Sequence, residues 1–340
     1  MKAIVWKGKD NIVFEEVPTP VPGEGEVLVS VRAAGVCATD IHIIRGLLNF
    51  RNPPLILGHE IAGDIEVIGP GVDGWQVGDR VVVETSINCG TCWFCRRGMK
   101  HLCNWGYDIG ITHNGGWAEY VLAPARNLYR LPENLTYEEG GIAESYICPA
   151  GAIGNVKISL EDTVLVLGAG PAGLSFVQLA RAAGAGKIIL VGTRAERLKI
   201  GREFGADVIL DARAVKDMVW DRVMEETEGR GVDVSIEAVG LPETILQSVQ
   251  LVRKGGQVIF YGCPSGLVGL PITDIAVKEL TMYGTSGQPH FWERALNLLS
   301  SGKNTLKPLV THSFTLEQAK DAVTWMEEKR DGCIKAVLIP

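Results

Sequence analysis

Residues 163–173, reading TVLVLGAGPAG, limit what this chain can fold into more than any other stretch. Five apolar or β-branched residues run directly into a glycine-rich turn, and helical spacing begins straight after it. Phe176, Leu179, Ala180 and Ala183 recur at the interval of one buried helix face. A strand that turns sharply into a helix opens a βαβ unit, and the alternation continues downstream. Residues 187–191, 207–210, 232–238, 257–261 and 280–283 read as further strands, with helical stretches near 195–204, 214–227 and 242–253 between most of them. The expectation is a six-stranded, doubly wound parallel sheet.

Within the turn each glycine has a physical use. Gly168 permits the tight bend, Gly170 lets backbone approach a pyrophosphate, and Gly173 allows the helix to pack closely on the sheet. That context turns a weak G-x-G-x-x-G pattern into a dinucleotide site. At the end of the second strand stands Gly192-Thr193-Arg194. No carboxylate is present to bind free ribose hydroxyls or repel a 2′-phosphate, whereas a hydroxyl and a guanidinium are present to bind one. NADP(H) is therefore favoured over NAD(H).

The first third has a different character. Short apolar runs at 2–6, 12–16 and 27–33 are separated by Pro18, Pro20, Pro22, Gly23 and Gly25, and the theme continues through 58–83. This reads as an irregular antiparallel barrel. The 41 glycines in 340 residues exceed the usual ~7% and are spread along the chain, as many tight turns require. Helices at 290–301 and 316–329 and a strand at 334–339 follow the sheet but complete no βαβ unit, so they are expected to return to the first domain. The expected domains are 1–147 with 285–340, and 148–284. A net charge of −7 without a basic block argues against nucleic acid. No apolar run reads as a membrane span and no basic leader precedes one at Met1, so a cytoplasmic protein is expected.

Cysteines supply the remaining chemistry. Cys89, Cys92, Cys95 and Cys103 lie within fifteen residues, a spacing suited to a closed tetrahedral zinc site with four thiolates. Arg96, Arg97 and Lys100 would offset its charge. Two disulfides are the competing reading, which a reducing compartment disfavours. A dispersed set also offers zinc-ligand types: Cys37, His59, Glu60 and Glu144. Cys148 reads as ordinary core, and His101 and His113 as structural.

The span Gly58-His59-Glu60-x2-Gly63-x5-Gly69-x2-Val72 and the cysteine spacing resemble the zinc-dependent medium-chain alcohol and polyol dehydrogenases over essentially the whole chain. The resemblance implies a GroES-like catalytic domain beside a Rossmann domain. It also implies two zinc ions per subunit, and a homodimer or homotetramer acting on a small alcohol or carbonyl substrate. By the same resemblance Cys37, His59 and Glu144 match the catalytic ligands, with Glu60 able to exchange with Glu144. Thr39 and His42 match the proton path, and Asp40 the acceptor that orients His59. Lys335 matches a basic contact to the cofactor phosphates. Ile43 departs from the sorbitol-type tyrosine and Ser286-Gly287 from its Arg-Tyr pair, while residues 284–287 are closer to the threonine dehydrogenase branch. The rival readings are a zinc-free quinone reductase of the same fold and a non-catalytic zinc- or nucleotide-binding protein.

Overall fold

The computed structural model describes residues 1–215, 218–264, 266–285 and 291–340. The chain forms two compact units, Met1–Glu144 with Trp292–Pro340, and Ser145–Phe291. Phe291 and Trp292, neighbours at one division, pack in different units. The ring of Phe291 occupies the space beside Gly154, where a Cβ would come within 2.2 Å of it. Trp292, the next residue, stacks on Tyr129 with ring centroids 5.3 Å apart.

The ten-residue strand Glu26–Gly35 organises the first unit. It pairs antiparallel with Ile61–Ile68 on one side and with Tyr120–Pro124 on the other, and its last residues pair with Lys335–Ile339. That final strand in turn runs parallel to Val310–Thr315. The C-terminal tail thus returns to the first unit, as the missing βαβ pattern implied. Val27, Val29, Val31, Ala34 and Val36 join Ile61, Ile65, Trp117 and Leu338 in one apolar core. The expected helix at 316–329 begins with a tight turn, Leu316–Gln318, before Ala319–Glu328.

In the second unit, the described residues form a six-stranded parallel sheet. Its order is Val208–Asp211, Lys187–Gly192, Thr163–Leu167, Val232–Glu237, Val252–Phe260 and Thr281–Gly284. The order reverses between the third and fourth of these, Thr163–Leu167 and Val232–Glu237. The fifth strand starts at Val252, five residues before the expected 257, and its register slips against Val232–Glu237 where Gly255 takes φ +67°. Over the expected helix at 214–227, the described residues include the helical stretches Ala212–Val215 and Val219–Glu226. Ser286, Gly287 and His290 lie outside the described residues. No helix among the described residues is long and apolar enough to cross a membrane.

One buried acid braces the segment that leads into the cysteine cluster. The Asn127 amide donates to the carbonyls of Glu84 and Ser86, and Tyr129 Oη donates to Glu84 Oε2 at 3.1 Å. Burial pushes the Glu84 carboxyl up to about 7, against the pull of Tyr129 and Lys100. Its folded pKa lies above the unfolded value, so the stability this residue allows is full below pH ~4.5 and is lost as pH rises through 7. Glu84→Gln should therefore stabilise the protein at pH 8.5 by on the order of 2 kcal/mol, with little difference at pH 4.5. Denaturant unfolding at both pH values checks this; a destabilised variant at pH 8.5 would contradict it.

Candidate functional site

Helix Ala38–Ile44 begins at Cys37, and the residue that fixes its start is Asp40. Asp40 is wholly buried. Its Oδ2 accepts from the Cys37 backbone N–H at 2.9 Å and its Oδ1 from the Gly58 N–H at 3.3 Å. One side chain thereby ties the helix start to the segment carrying His59 and Glu60. Asp40 Oδ1 also lies 3.3 Å from His59 Nδ1. That contact misses hydrogen-bond geometry, and Nδ1 has no hydrogen-bond partner among the described residues. Burial works against a charged His59, but Asp40 and Cys37 outweigh it and hold its pKa above the ordinary value.

Close backbone approaches make the same arrangement obligatory. Gly58 has φ +92°, and a Cβ there would meet the Trp117 ring at 2.2 Å. A Cβ on Gly35 would meet Glu60 Oε2 at 2.0 Å and the Gly141 carbonyl at 2.6 Å. Trp117, fully buried, donates through Nε1 to the Gly35 carbonyl at 3.1 Å. Glycine is required at both positions because side chains already fill the space.

The ligand atoms of Cys37, His59 and Glu60 all lie within 4.8 Å of one another. A thiol, an imidazole and a carboxyl at that spacing fit a zinc ion held by three protein ligands, with a fourth position left for substrate. Glu144, the first residue of helix Glu144–Ile153, stands near enough to raise the pKa of Glu60. It is outside the triad of mutually close ligand atoms. Thr39 Oγ1 is 3.8 Å from Cys37 Sγ. Thr39 and His42 share the exposed face of the helix at i, i+3 spacing, and both are half-buried.

Lys335, expected at the cofactor phosphates, pairs inside the first unit with Glu60. It is 2% exposed, and its Nζ lies 2.5 Å from both Glu60 oxygens and 3.3 Å from the Val36 carbonyl. An ammonium inside the protein needs a counter-charge, and Glu60 is that charge. Burial disfavours the ammonium, but Glu60 and Cys37 outweigh it and raise the Lys335 pKa. Burial pushes the Glu60 carboxyl upward, while Lys335 and His59 pull it down. With a donor against both oxygens, the ionised pair is the state the geometry favours. Local sequence held no sign of this contact, which joins residues 275 apart.

The four clustered cysteines converge as well. Cys92 Sγ lies 3.4 Å from Cys95 Sγ and 3.9 Å from Cys103 Sγ, and Cys89 Sγ lies 3.9 Å from Cys95 Sγ. Sulfurs at the corners of a tetrahedron about zinc, each ~2.3 Å from the metal, would be ~3.8 Å apart. All eight cysteines are free, and the spacing of these four sulfurs is that of a metal tetrahedron. The backbone N–H groups of Thr91 and Cys92 and the Thr91 hydroxyl pull the Cys89 thiol down to about 6. Burial and the neighbouring sulfurs push Cys95 up to about 12. Four sulfurs this close ionise together only around a cation. Arg97, expected to offset their charge, lies over the Trp93 ring at 4.1 Å.

In the second unit the glycine turn has the required shape. Gly168 takes φ +110°, a Cβ on Gly173 would strike the Gly168 carbonyl at 1.8 Å, and the space around Gly170 is open. Gly170 is the N-cap of the twelve-residue helix Pro171–Ala182, so its unpaired N–H groups face that space. Thr193 is exposed, and Arg194 is the N-cap of helix Ala195–Glu203. Gly192 has a second use, for a Cβ there would meet Ala169 Cβ at 2.7 Å and Leu198 at 2.9 Å.

Residues 23–133 match the alcohol dehydrogenase GroES-like domain and residues 171–301 the zinc-binding dehydrogenase family. The chain belongs to the zinc-binding alcohol dehydrogenase family. It is 36% identical over 331 residues to an L-threonine 3-dehydrogenase of Pyrococcus horikoshii, covering 95% of this chain and 94% of that one. To a sorbitol dehydrogenase of Bacillus subtilis it is 32% identical, covering 100% and 97%. A crystal structure of a putative zinc-binding dehydrogenase from Sinorhizobium meliloti bound to NADP superposes with a TM-score of 0.94. That protein is 33% identical, with 100% of this chain and 99% of that one covered.

Cys95→Ser opens the closed sulfur tetrahedron. Metal analysis should show one zinc fewer per chain, and the melting temperature should fall, because structural zinc contributes on the order of 10 kcal/mol in small domains. Unchanged metal content and an unchanged melt would refute a structural role.

Proposed function

We propose that this protein is a zinc-dependent, nicotinamide-linked oxidoreductase that interconverts a secondary alcohol or polyol and its ketone, or the corresponding aldehyde. The observation that carries the reading is the convergence of Cys37, His59 and Glu60 within 4.8 Å. A zinc-free reductase needs no such set, and a storage or structural site would close the fourth position. Free thiols at both clusters accord with a reducing compartment.

Cys37 and His59 would hold the catalytic metal, with Glu60 or Glu144 as the third ligand. When bound there, zinc supplies a Lewis acid that makes the substrate hydroxyl more acidic near neutral pH. Asp40, 3.3 Å from His59 Nδ1, is the acceptor that would orient the ring once a metal took the other nitrogen. Thr39 Oγ1 accepts the hydroxyl proton and His42 carries it to solvent. The hydrogen on the carbinol carbon leaves with its electron pair, and a C=O bond forms from the C–O bond. A dinucleotide held over Gly168, Gly170 and Gly173 supplies the acceptor for that pair. Reduction of a carbonyl is the same path reversed.

Gly192, Thr193 and Arg194 would form the adenosine end, and Arg194 favours a 2′-phosphate there, hence NADP(H) over NAD(H). Arg194→Ala should weaken NADPH roughly ten- to hundredfold and leave NADH within a few-fold, since a charge-assisted hydrogen bond is worth ~1.5–3 kcal/mol. Fluorescence titration with both dinucleotides checks this, and tighter NADH binding by the unmutated protein would overturn it. The packing around Gly192 makes Gly192→Asp an unclean reversal, so a carboxylate is better introduced at the exposed Thr193.

Activity is tested by NADPH oxidation against a panel of ketones and aldehydes. His59→Ala should lower kcat at least ~10³-fold, the scale of a lost Lewis acid, with dinucleotide affinity unchanged. A variant keeping wild-type kcat would refute the assignment.

A further inference from the structure

Glu237 is a fully buried carboxyl for which the mechanism above has no use. It ends the strand Val232–Glu237, paired with Leu167 across the point where strand order reverses, so it and Gly168 stand on the two sides of that point. Ligands of open parallel sheets bind in the crevice outside these strand ends.

Beyond the sheet ladder, its bonds go to two turns on that edge and to the first turn of helix Pro242–Leu251. Glu237 Oε1 accepts from the backbone N–H of Val239 at 2.8 Å, from that of Gly240 at 2.9 Å and from Thr244 Oγ1 at 2.7 Å. The Glu237 carbonyl accepts from the N–H of Tyr261 at 2.9 Å and of Gly262 at 3.1 Å. Oε2 has no hydrogen-bond partner among the described residues, and a Cβ on Gly262 would come within 2.5 Å of it. The two turns interlock: a Cβ on Gly262 would strike the Gly240 nitrogen at 2.2 Å, and one on Gly240 would strike the Cys263 backbone. The first turn also presses on the glycine motif, since a Cβ on Gly168 would meet Val239 Cγ2 at 2.7 Å.

We propose that Glu237 is a positioning residue whose carboxyl sets the Val239–Gly240 and Gly262–Cys263 turns as the surface that receives the nicotinamide half of the dinucleotide. The adenosine half lies at the other end of the crevice, over Gly192–Arg194, where Glu237 makes no contact. The inference rests on the dinucleotide reading given above.

The test uses the zinc-loaded protein and two probes. One is whichever of NADPH or NADH the unmutated protein binds; the other is the matching ADP-ribose, carrying the 2′-phosphate for NADPH, which lacks only the nicotinamide. Glu237→Ala should weaken the complete dinucleotide roughly ten- to hundredfold, the effect of orphaning buried donors, and leave the ADP-ribose within about threefold. Glu237→Gln keeps an acceptor oxygen and should restore near-wild-type affinity. Should the alanine variant fail to fold, Thr244→Val removes one of the three donors and should give the same selective loss at smaller size. Equal loss of both probes, or no loss of either, overturns the proposal. Failure of the unmutated protein to bind either dinucleotide overturns the cofactor reading itself, and the proposal with it.

Discussion

Asp40 is the residue on which the candidate metal site depends. A carboxyl with no solvent access holds the N–H groups of Cys37 and Gly58 at once, and so fixes two ligand-bearing segments 21 residues apart in sequence order, from Cys37 to Gly58. Buried polar groups that satisfy one another in this way rigidify whatever they join. Trp117 adds to the effect by bonding the Gly35 carbonyl while filling the space beside Gly58. A metal ion would meet ligands already in place, which lowers the cost of organising them.

The second consequence concerns charge. Cys37, Glu60 and Glu144 all act on Lys335, the buried cation among them. Removing Lys335 would leave Glu60 as an uncompensated buried acid, a change that typically costs several kcal/mol. The pair also constrains Glu60 as a metal ligand. While both its oxygens face Lys335 Nζ, direct ligation competes with that contact. Glu144, beside it, is half-buried where Glu60 is wholly buried.

Features with a short sequence period were the legible ones. The strand Thr163–Leu167, its glycine turn and the following helix could be read because each residue has a local conformational use. The cysteine cluster could be read because its ligands are close in sequence, and the sulfur spacing fits the tetrahedron that reading calls for. Contacts closed by the tertiary fold were not legible. Lys335 could be assigned only by resemblance, and its actual partner lies across the strand pairing of Lys335–Ile339 with Glu26–Gly35. Gly192 read as the absence of a carboxylate, whereas its packing against Ala169 and Leu198 needed coordinates. Glu237 passed as the end of an apolar strand, because nothing nearby in sequence shows that three donors converge on it.

Two metal centres of unequal kind, one closed by four sulfurs and one left open by three unlike ligands, are the core of this account. Zinc-edge anomalous diffraction from crystals of the zinc-loaded protein locates them directly. The account predicts two peaks per chain, one central to Cys89, Cys92, Cys95 and Cys103, and one bounded by Cys37, His59 and a single glutamate. A lone peak at the four cysteines, with no density among Cys37, His59 and the glutamates at saturating zinc, would contradict it.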